Sequence, residues 1–449
     1  MTTATTVWTP GAQQAEALAD IRDWYTNPAR KHEQIYRLFG YAGVGKTTCS
    51  CHAVGQLGLS DVCAAAYTGK AAHVMRTRGG WPQAQTIHSL IYKPLGDSNP
   101  ELDRLRAELL AIEENPEISD ELRAELVAEI KTQIKAEERK PKQMRFTLAE
   151  DSDLAYAQLC VVDEVSMVGE NMAADLLRFG KKILVLGDPA QLPPVGRDEG
   201  FFTNAAPNYL LTEVHRAAWD HPITRIATMI RESDPRQRML GFTTSVGNCG
   251  RYDRLPTGIE RYDQVICGTN RTRWRLINKI RDALGFYGPA PVVGDRIIVL
   301  ANSKDAGVFN GQQFEVLACE ADPEDRRAEK WMLTVRDDEG LERSLRVWRE
   351  GFTGPEGEKD IKFSGRGLTA AATFAQAITC HKSQGSEFSN VLVVDESHVF
   401  RTARLKSAQG QREVARAHEE ARSWLYTAVT RASNHVSVMD VDDLLPRRR

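Results

Sequence analysis

Apolar residues in this chain follow three textures. Through the first part, short continuous runs end on turn residues and are followed by helical patterns: "QIYRLFGYAG", "VCAAAYTG", "QLCVVDE" and "KKILVLGDP". Runs that are apolar at every position predict strands covered on both faces, as in a parallel α/β sheet. Between Leu90 and Leu154 the spacing becomes helical, with Leu102, Leu105, Leu109 and Ile112 in one stripe and Leu122, Leu126, Ile130 and Ile134 in a second. Two charged antiparallel helices are expected there, starting near Ser98-Asn99-Pro100-Glu101. The flanking "LIYKPL" and "QMRFTL" suit a short hairpin.

From Pro289 the pattern alternates, and Asn310-Gly311 suits a tight hairpin turn. This predicts a small barrel-like insertion of about 70 residues. After "GRGL" the α/β texture returns, with "AAATFAQAITCHKSQG", "NVLVVDES" and "VSVMD". The expected fold class is α/β, in two parallel-sheet halves. A helical and hairpin insertion interrupts the first half, and a β insertion the second.

Length and charge narrow this picture. A chain of 449 residues corresponds to about two to four domains. A net charge of -3 argues against a histone-like electrostatic binder and leaves room for a local basic groove. The eight cysteines form no C-x-x-C pair, so neither a zinc site nor a disulfide framework is expected. With no signal-peptide pattern and no run of 18 apolar residues, a cytoplasmic, membrane-free protein is expected.

The chemistry concentrates in "GYAGVGKT", Gly40 to Thr47. Its glycines let backbone amides curve around phosphate oxygens, and the next helix aims its N-terminus at them. Gly43, Val44, Gly45, Lys46, Thr47 and Thr48 would hold a nucleotide, with Lys46 on the β/γ-phosphates and Thr47 on Mg2+. "VVDE" occurs twice, at Val161–Glu164 and Val393–Glu396. Asp163 is assigned to Mg2+ and Glu164 to the base that orients the attacking water. Gln191, behind "GDP", is placed to sense the γ-phosphate. No N-K-x-D guanine signature comes after the loop, which argues against a GTPase.

Seven stretches occur together in order: "GYAGVGKT", "AYTGKAA" with "TIHSL", "VVDEVSMV", "GDPAQLPPVG", "LTEVHR", "ITCHKSQGSEF" and "YTAVTRA". In this the chain resembles the superfamily 1B DNA helicases of the Dda and RecD type, from Gly40 to Ala432. The resemblance implies two RecA-like cores with ATP between them. Core 1 would comprise residues 1–90 and 151–215, with an insertion at 91–150. Core 2 would comprise 216–289 and 366–449, with an SH3-like β insertion at 290–365. The first "VVDE" would then serve the nucleotide, leaving Asp395 and Glu396 as structural remnants or caps.

The same resemblance implies further roles. Arg216 and Arg431 match the family's two arginines that reach the γ-phosphate from across the cleft. Gln14 would meet the adenine edge and Glu387 the ribose. Thr68, Lys70, Thr86, His88, Thr379, His381 and Lys382 would contact single-stranded DNA, although either histidine standing alone would read as structural. Tyr92 and Phe146 are candidates for a strand-separating pin. The expected activity is ATP-driven 5′ to 3′ travel on single-stranded DNA with unwinding of tailed duplex, by a monomer. The alternatives are a translocase that unwinds weakly and a non-motor platform. The chain resembles the compact Dda form. Its first insertion is longer and more helical than a Dda-type pin, so those helices are also candidates for docking a partner protein.

Overall fold

The structure is a computed structural model. It describes residues 8–444 apart from 78, 95–99, 115–118, 140–145, 194–199, 214–220, 237–248, 253–258, 260–261, 304, 339 and 362–367. Two parallel sheets form its frame. The first orders its strands as Gln85–Thr86, Val62–Ala66, Leu159–Asp163, Lys182–Gly187, Ile35–Gly40 and Tyr209–Leu211. The second orders Ala377–Thr379, Gln264–Cys267, Phe388–Asp395, Ala432–Asp440 and Cys249–Tyr252. Every pairing in both is parallel.

The continuous apolar runs are explained by what covers each face. Successive side chains of a strand point to opposite sides. Leu159, Val161, Leu184 and Leu186 join the cluster under the Ala12–Thr26 helix with Leu18, Ile21 and Trp24. Their neighbours Cys160, Val162, Ile183 and Val185 enter a second cluster with Ala173, Leu176 and Phe202. The second sheet divides alike: Val391 and Val393 go to one side, Leu392 and Val394 to the other.

The β insertion is a six-stranded sheet ordered Thr369–Ala370, Glu342–Trp348, Lys330–Arg336, Gln313–Ala321, Arg296–Val299 and Ala372–Phe374. Only Ala371 separates its two edge strands, so the sheet curls until its edges meet. Its interior is continuous with core 2, because Phe314, Val316, Leu333 and Val347 share one cluster with Trp274, Ile277 and Leu392. A buried ion pair fixes the junction. Arg281 donates to both Asp295 oxygens at 3.0 Å, and Asp295 also accepts from Gln376 at 2.6 Å and the Val292 amide at 2.8 Å.

In the first insertion, Tyr92–Pro94 pairs antiparallel with Phe146–Leu148. Beyond this hairpin lie the helices Pro100–Glu114 and Asp120–Arg139. Leu105 and Ile130 are buried on them, and Lys131 reaches Glu113 at 3.4 Å. Among the described residues no helix is long and apolar enough to cross a membrane. Seven cysteines are described as free thiols.

Candidate nucleotide cleft and nucleic-acid face

The strand Ile35–Gly40 leads into the phosphate loop, and the helix Lys46–Leu57 leaves it. Gly43 and Gly45 hold φ of 81° and 80°, a left-handed backbone that side chains disfavour, so the loop needs glycine there. Lys46 Nζ donates to the Gly40 and Tyr41 carbonyls at 2.8 and 3.1 Å, which lays the amine along the loop. Thr47 Oγ1 donates to Asp163 Oδ2 at 2.9 Å, at the end of the neighbouring Leu159–Asp163 strand. This pair of hard oxygen ligands fits Mg2+, which takes one or two protein oxygens beside phosphate.

Glu164 comes next with φ 54°, one of two described non-glycine residues in the left-handed region. Backbone of this kind concentrates where a fixed side-chain direction is required. Burial pushes the Glu164 carboxyl above its ordinary range, Arg431 pulls it back, and Asp163 adds to the rise. Gln191 stands between them. With its amide oriented to satisfy both neighbours, it donates to Glu164 Oε2 at 3.3 Å and accepts from Arg431 Nη2 at 3.3 Å. Arg431 is held by the Thr427 and Ser386 carbonyls at 3.2 and 3.3 Å, and is buried.

Residues of both cores line this cleft, whose volume is about 640 Å³, including Lys46, Thr47, Asp163, Glu164, Gln191, Glu387 and Arg431. Core 2 also closes on core 1 through hydrogen bonds beside the cleft. The Leu192 amide donates to Thr427 Oγ1 at 3.0 Å, and Gln384 donates to the Leu192 carbonyl at 3.1 Å. Tyr426 accepts from the Ala42 amide of the phosphate loop at 3.2 Å. At Gly385 a Cβ would lie 2.6 Å from Thr68 Oγ1, so the approach of the cores there requires glycine.

Several expected residues lie elsewhere. Gln14 does not line the cleft. Its amide donates to the Val44 carbonyl at 3.0 Å and its oxygen accepts from the Gly11 amide at 3.0 Å, so it braces the phosphate loop. Gln13 instead binds the Thr212 and Glu213 amides at 2.8 and 2.9 Å, beside the cleft-lining Thr212. Val44 is buried behind the loop, and Thr48 is exposed and outside the lining. Arg216 lies outside the described residues. Sequence reasoning passed over Tyr41 and one face of the Pro222–Glu232 helix, where Thr224, Thr228 and Arg231 line the cleft. Their i, i+4, i+7 spacing was the available signal.

The expected nucleic-acid contacts gather at strand ends. Thr68, Thr86 and Thr379 each lie at or just past the end of a strand and accept an amide three residues on, from Ala71, Ser89 and Lys382 at 3.1, 3.1 and 3.4 Å. These are helix N-caps, so three hydroxyls across both cores share one geometry. Lys70 lies over the Phe388 ring and 3.5 Å from Asp338 of the β insertion. Lys382 donates to Asn310 of the same insertion at 3.1 Å. Burial lowers both lysines' pKa. It also lowers that of His381, which favours the neutral ring, against the opposing pull of Glu420. His88 packs between Tyr92 and Phe146, tilted against the first and edge-on to the second, with centroids at 4.9 and 4.3 Å. Tyr92 is anchored by its hydroxyl to Asp175 at 2.6 Å, whereas Phe146 is exposed.

The second "VVDE" has a different role. Glu396 accepts from the Gly268 and Thr269 amides at 2.6 and 2.9 Å and from the Thr272 hydroxyl at 2.7 Å. It holds the turn that enters the Asn270–Ala283 helix, whose N-cap is Thr269, and its carboxylate meets the positive end of the helix dipole.

Two parallel-sheet cores share a cleft bordered by a glycine-rich loop with the Lys46–Thr47 pair, the arrangement of a two-core α/β protein of the phosphate-loop class. Residues 12–248, just over half of the chain, match the AAA domain family, and the chain belongs to that family. Its fold is similar to that of Bacteroides Pif1 bound to single-stranded DNA, at TM-score 0.50 and 18% identity over 98% of this chain and 95% of that one. It is equally similar to a structure of Pif1 helicases that coordinate in unwinding forked duplex DNA, at TM-score 0.50 and 19% identity over 96% and 92%. No curated protein matches the sequence significantly.

Proposed function

We propose that this protein is an ATP-dependent DNA helicase that steps along single-stranded DNA 5′ to 3′ and separates tailed duplex. The observation that carries the reading is the Glu164–Gln191–Arg431 chain, which links the expected water-orienting carboxylate in one core to an arginine of the other. Nucleotide state would thereby govern how closely the cores approach, and alternating closure would move the strand across the capped threonines. Lys46 neutralises phosphate charge, Glu164 orients water, and Arg431 meets charge that develops on the γ-phosphate. Thr47 and Asp163 would hold Mg2+, which supplies charge neutralisation at the phosphates when bound.

A second reading, a translocase that unwinds weakly, is favoured by the pin hairpin. It has three residues per strand, with Tyr92 tied to Asp175. The helical pair beyond it would then dock a protein partner. The test is ATP-dependent separation of 5′-tailed and 3′-tailed duplexes, with Lys46→Ala as control. Separation of the 5′-tailed duplex alone, lost in Lys46→Ala, supports the helicase. ATP turnover on single strands without separation supports the translocase. Full activity of Lys46→Ala would sink the site assignment. In the helicase, Phe146→Ala slows unwinding and leaves single-strand-stimulated ATP turnover intact.

A further inference from the structure

The helix Pro222–Glu232 turns its apolar face, Ile223, Ile226 and Ile230, into core 2. Its side bearing Thr224, Ala227, Thr228 and Arg231 borders the cleft, with Ile223 at the edge between the two faces. Arg231 lies over the Tyr41 ring, its guanidinium carbon 3.6 Å from the ring centroid. Tyr41 belongs to the phosphate loop of core 1, and its own carbonyl accepts from Lys46 Nζ. The stack therefore crosses the cleft beside the position where phosphates would lie.

A guanidinium stacked on a ring engages the ring through its face and leaves its N–H donors pointing outward in its plane. One of these donors meets Glu232 at 2.8 Å, at the exposed rim. Tyr41 thus orients Arg231 without consuming the donors that suit bidentate binding of a phosphate. The helix end is itself fixed, because Arg422 donates to the Arg231 and Ser233 carbonyls at 2.8 and 3.1 Å.

We propose that Arg231, held on the Tyr41 ring, binds the terminal phosphate of a nucleoside triphosphate and distinguishes triphosphate from diphosphate. This rests on the nucleotide reading of the cleft. It is distinct from Arg431, which is set in core 2 by the Thr427 and Ser386 carbonyls and paired with Gln191, and which among the described residues has no aromatic platform from the phosphate loop. Because Arg231 and Tyr41 belong to different cores, a triphosphate held by Arg231 also draws the helix onto the loop.

The test is equilibrium binding of fluorescent ADP and of a fluorescent non-hydrolysable ATP analogue, without DNA, to the native chain, Arg231→Ala, Arg231→Lys, Tyr41→Phe and Tyr41→Ala. Loss of a charge-assisted hydrogen bond predicts triphosphate binding weakened about tenfold or more in Arg231→Ala, with ADP binding within about twofold of native. Tyr41→Phe keeps the platform and stays native-like. Tyr41→Ala and Arg231→Lys lose part of the discrimination. Equal weakening of both nucleotides in Arg231→Ala would make the stack a structural latch and overturn the proposal, as would native binding of both. A native chain that binds neither nucleotide would instead overturn the nucleotide reading itself.

Discussion

The Tyr426 hydroxyl donates a 2.7 Å hydrogen bond to Asp188 Oδ2, joining a core 2 helix to a strand end of core 1. Both residues are buried, and burial raises the pKa of each. Tyr426→Phe removes both this donor and the acceptor of the Ala42 amide, and leaves Asp188 Oδ2 unpaired. The expected cost is about 1–3 kcal/mol of unfolding free energy, measured by urea denaturation. An unchanged midpoint and slope would show that this contact does not hold the cores.

Glu396 anchors a helix through two amides and the Thr269 and Thr272 hydroxyls, and it does not line the nucleotide cleft. Glu396→Gln turns one acceptor oxygen into a donor that faces amides. It should destabilise the fold by about 1–3 kcal/mol and leave ATP turnover unchanged well below the unfolding temperature. Lost turnover with native stability would give the second "VVDE" a functional role.

Asp338 stands against Lys70, where the proposed function places a DNA phosphate. Its carboxylate is 65% exposed, so the pair is weak, yet DNA must still displace it. Asp338→Asn should tighten single-strand binding by about two- to fivefold at low salt and by less at high salt, where such charges are screened. Fluorescence anisotropy with a labelled oligonucleotide at two salt concentrations measures this. Equal or weaker binding by the variant would exclude competition.

Asp395 is buried beside His398 and Asp440, and burial raises its carboxyl above the ordinary value of 3.8. From 3.8 up to its raised folded value, the folded state holds more proton than the unfolded chain, so this group's contribution to stability falls as pH rises. Asp395→Asn keeps an oxygen for the Ser397 amide, which donates to Asp395 at 2.8 Å. The variant should match the native chain below pH 3.8. It should gain up to about 1.4 kcal/mol for each pH unit across the window. Thermal unfolding from about pH 3.5 to 7.5 measures the gap. A gap that does not widen with pH would mean that Asp395 is not destabilised by burial.

Much of this molecule was legible because its signals are local. Continuous runs such as Val161–Val162 and Leu184–Val185 marked strands covered on both faces, and the two parallel sheets are built from them. The glycines and Lys46–Thr47 marked the phosphate loop, since its left-handed turns and helix start are set between Gly40 and Thr47. The two stripes in the first insertion marked its helices, whose contacts run between successive elements.

Identical local text could not distinguish the two "VVDE" strands. Their partners in space do so: Asp163 faces Thr47, and Glu396 faces a helix N-terminus. Nor could the sequence choose between adjacent glutamines, of which Gln14 turned to the loop and Gln13 to Thr212. The sequence by itself determined where strands, caps and the phosphate loop lie, because these depend on residues a few positions apart. Only the tertiary structure decided the cleft. Tyr41 with Arg231, Ala42 with Tyr426, and Gln191 with Arg431 lie far apart along the chain, and their meeting depends on how two cores pack.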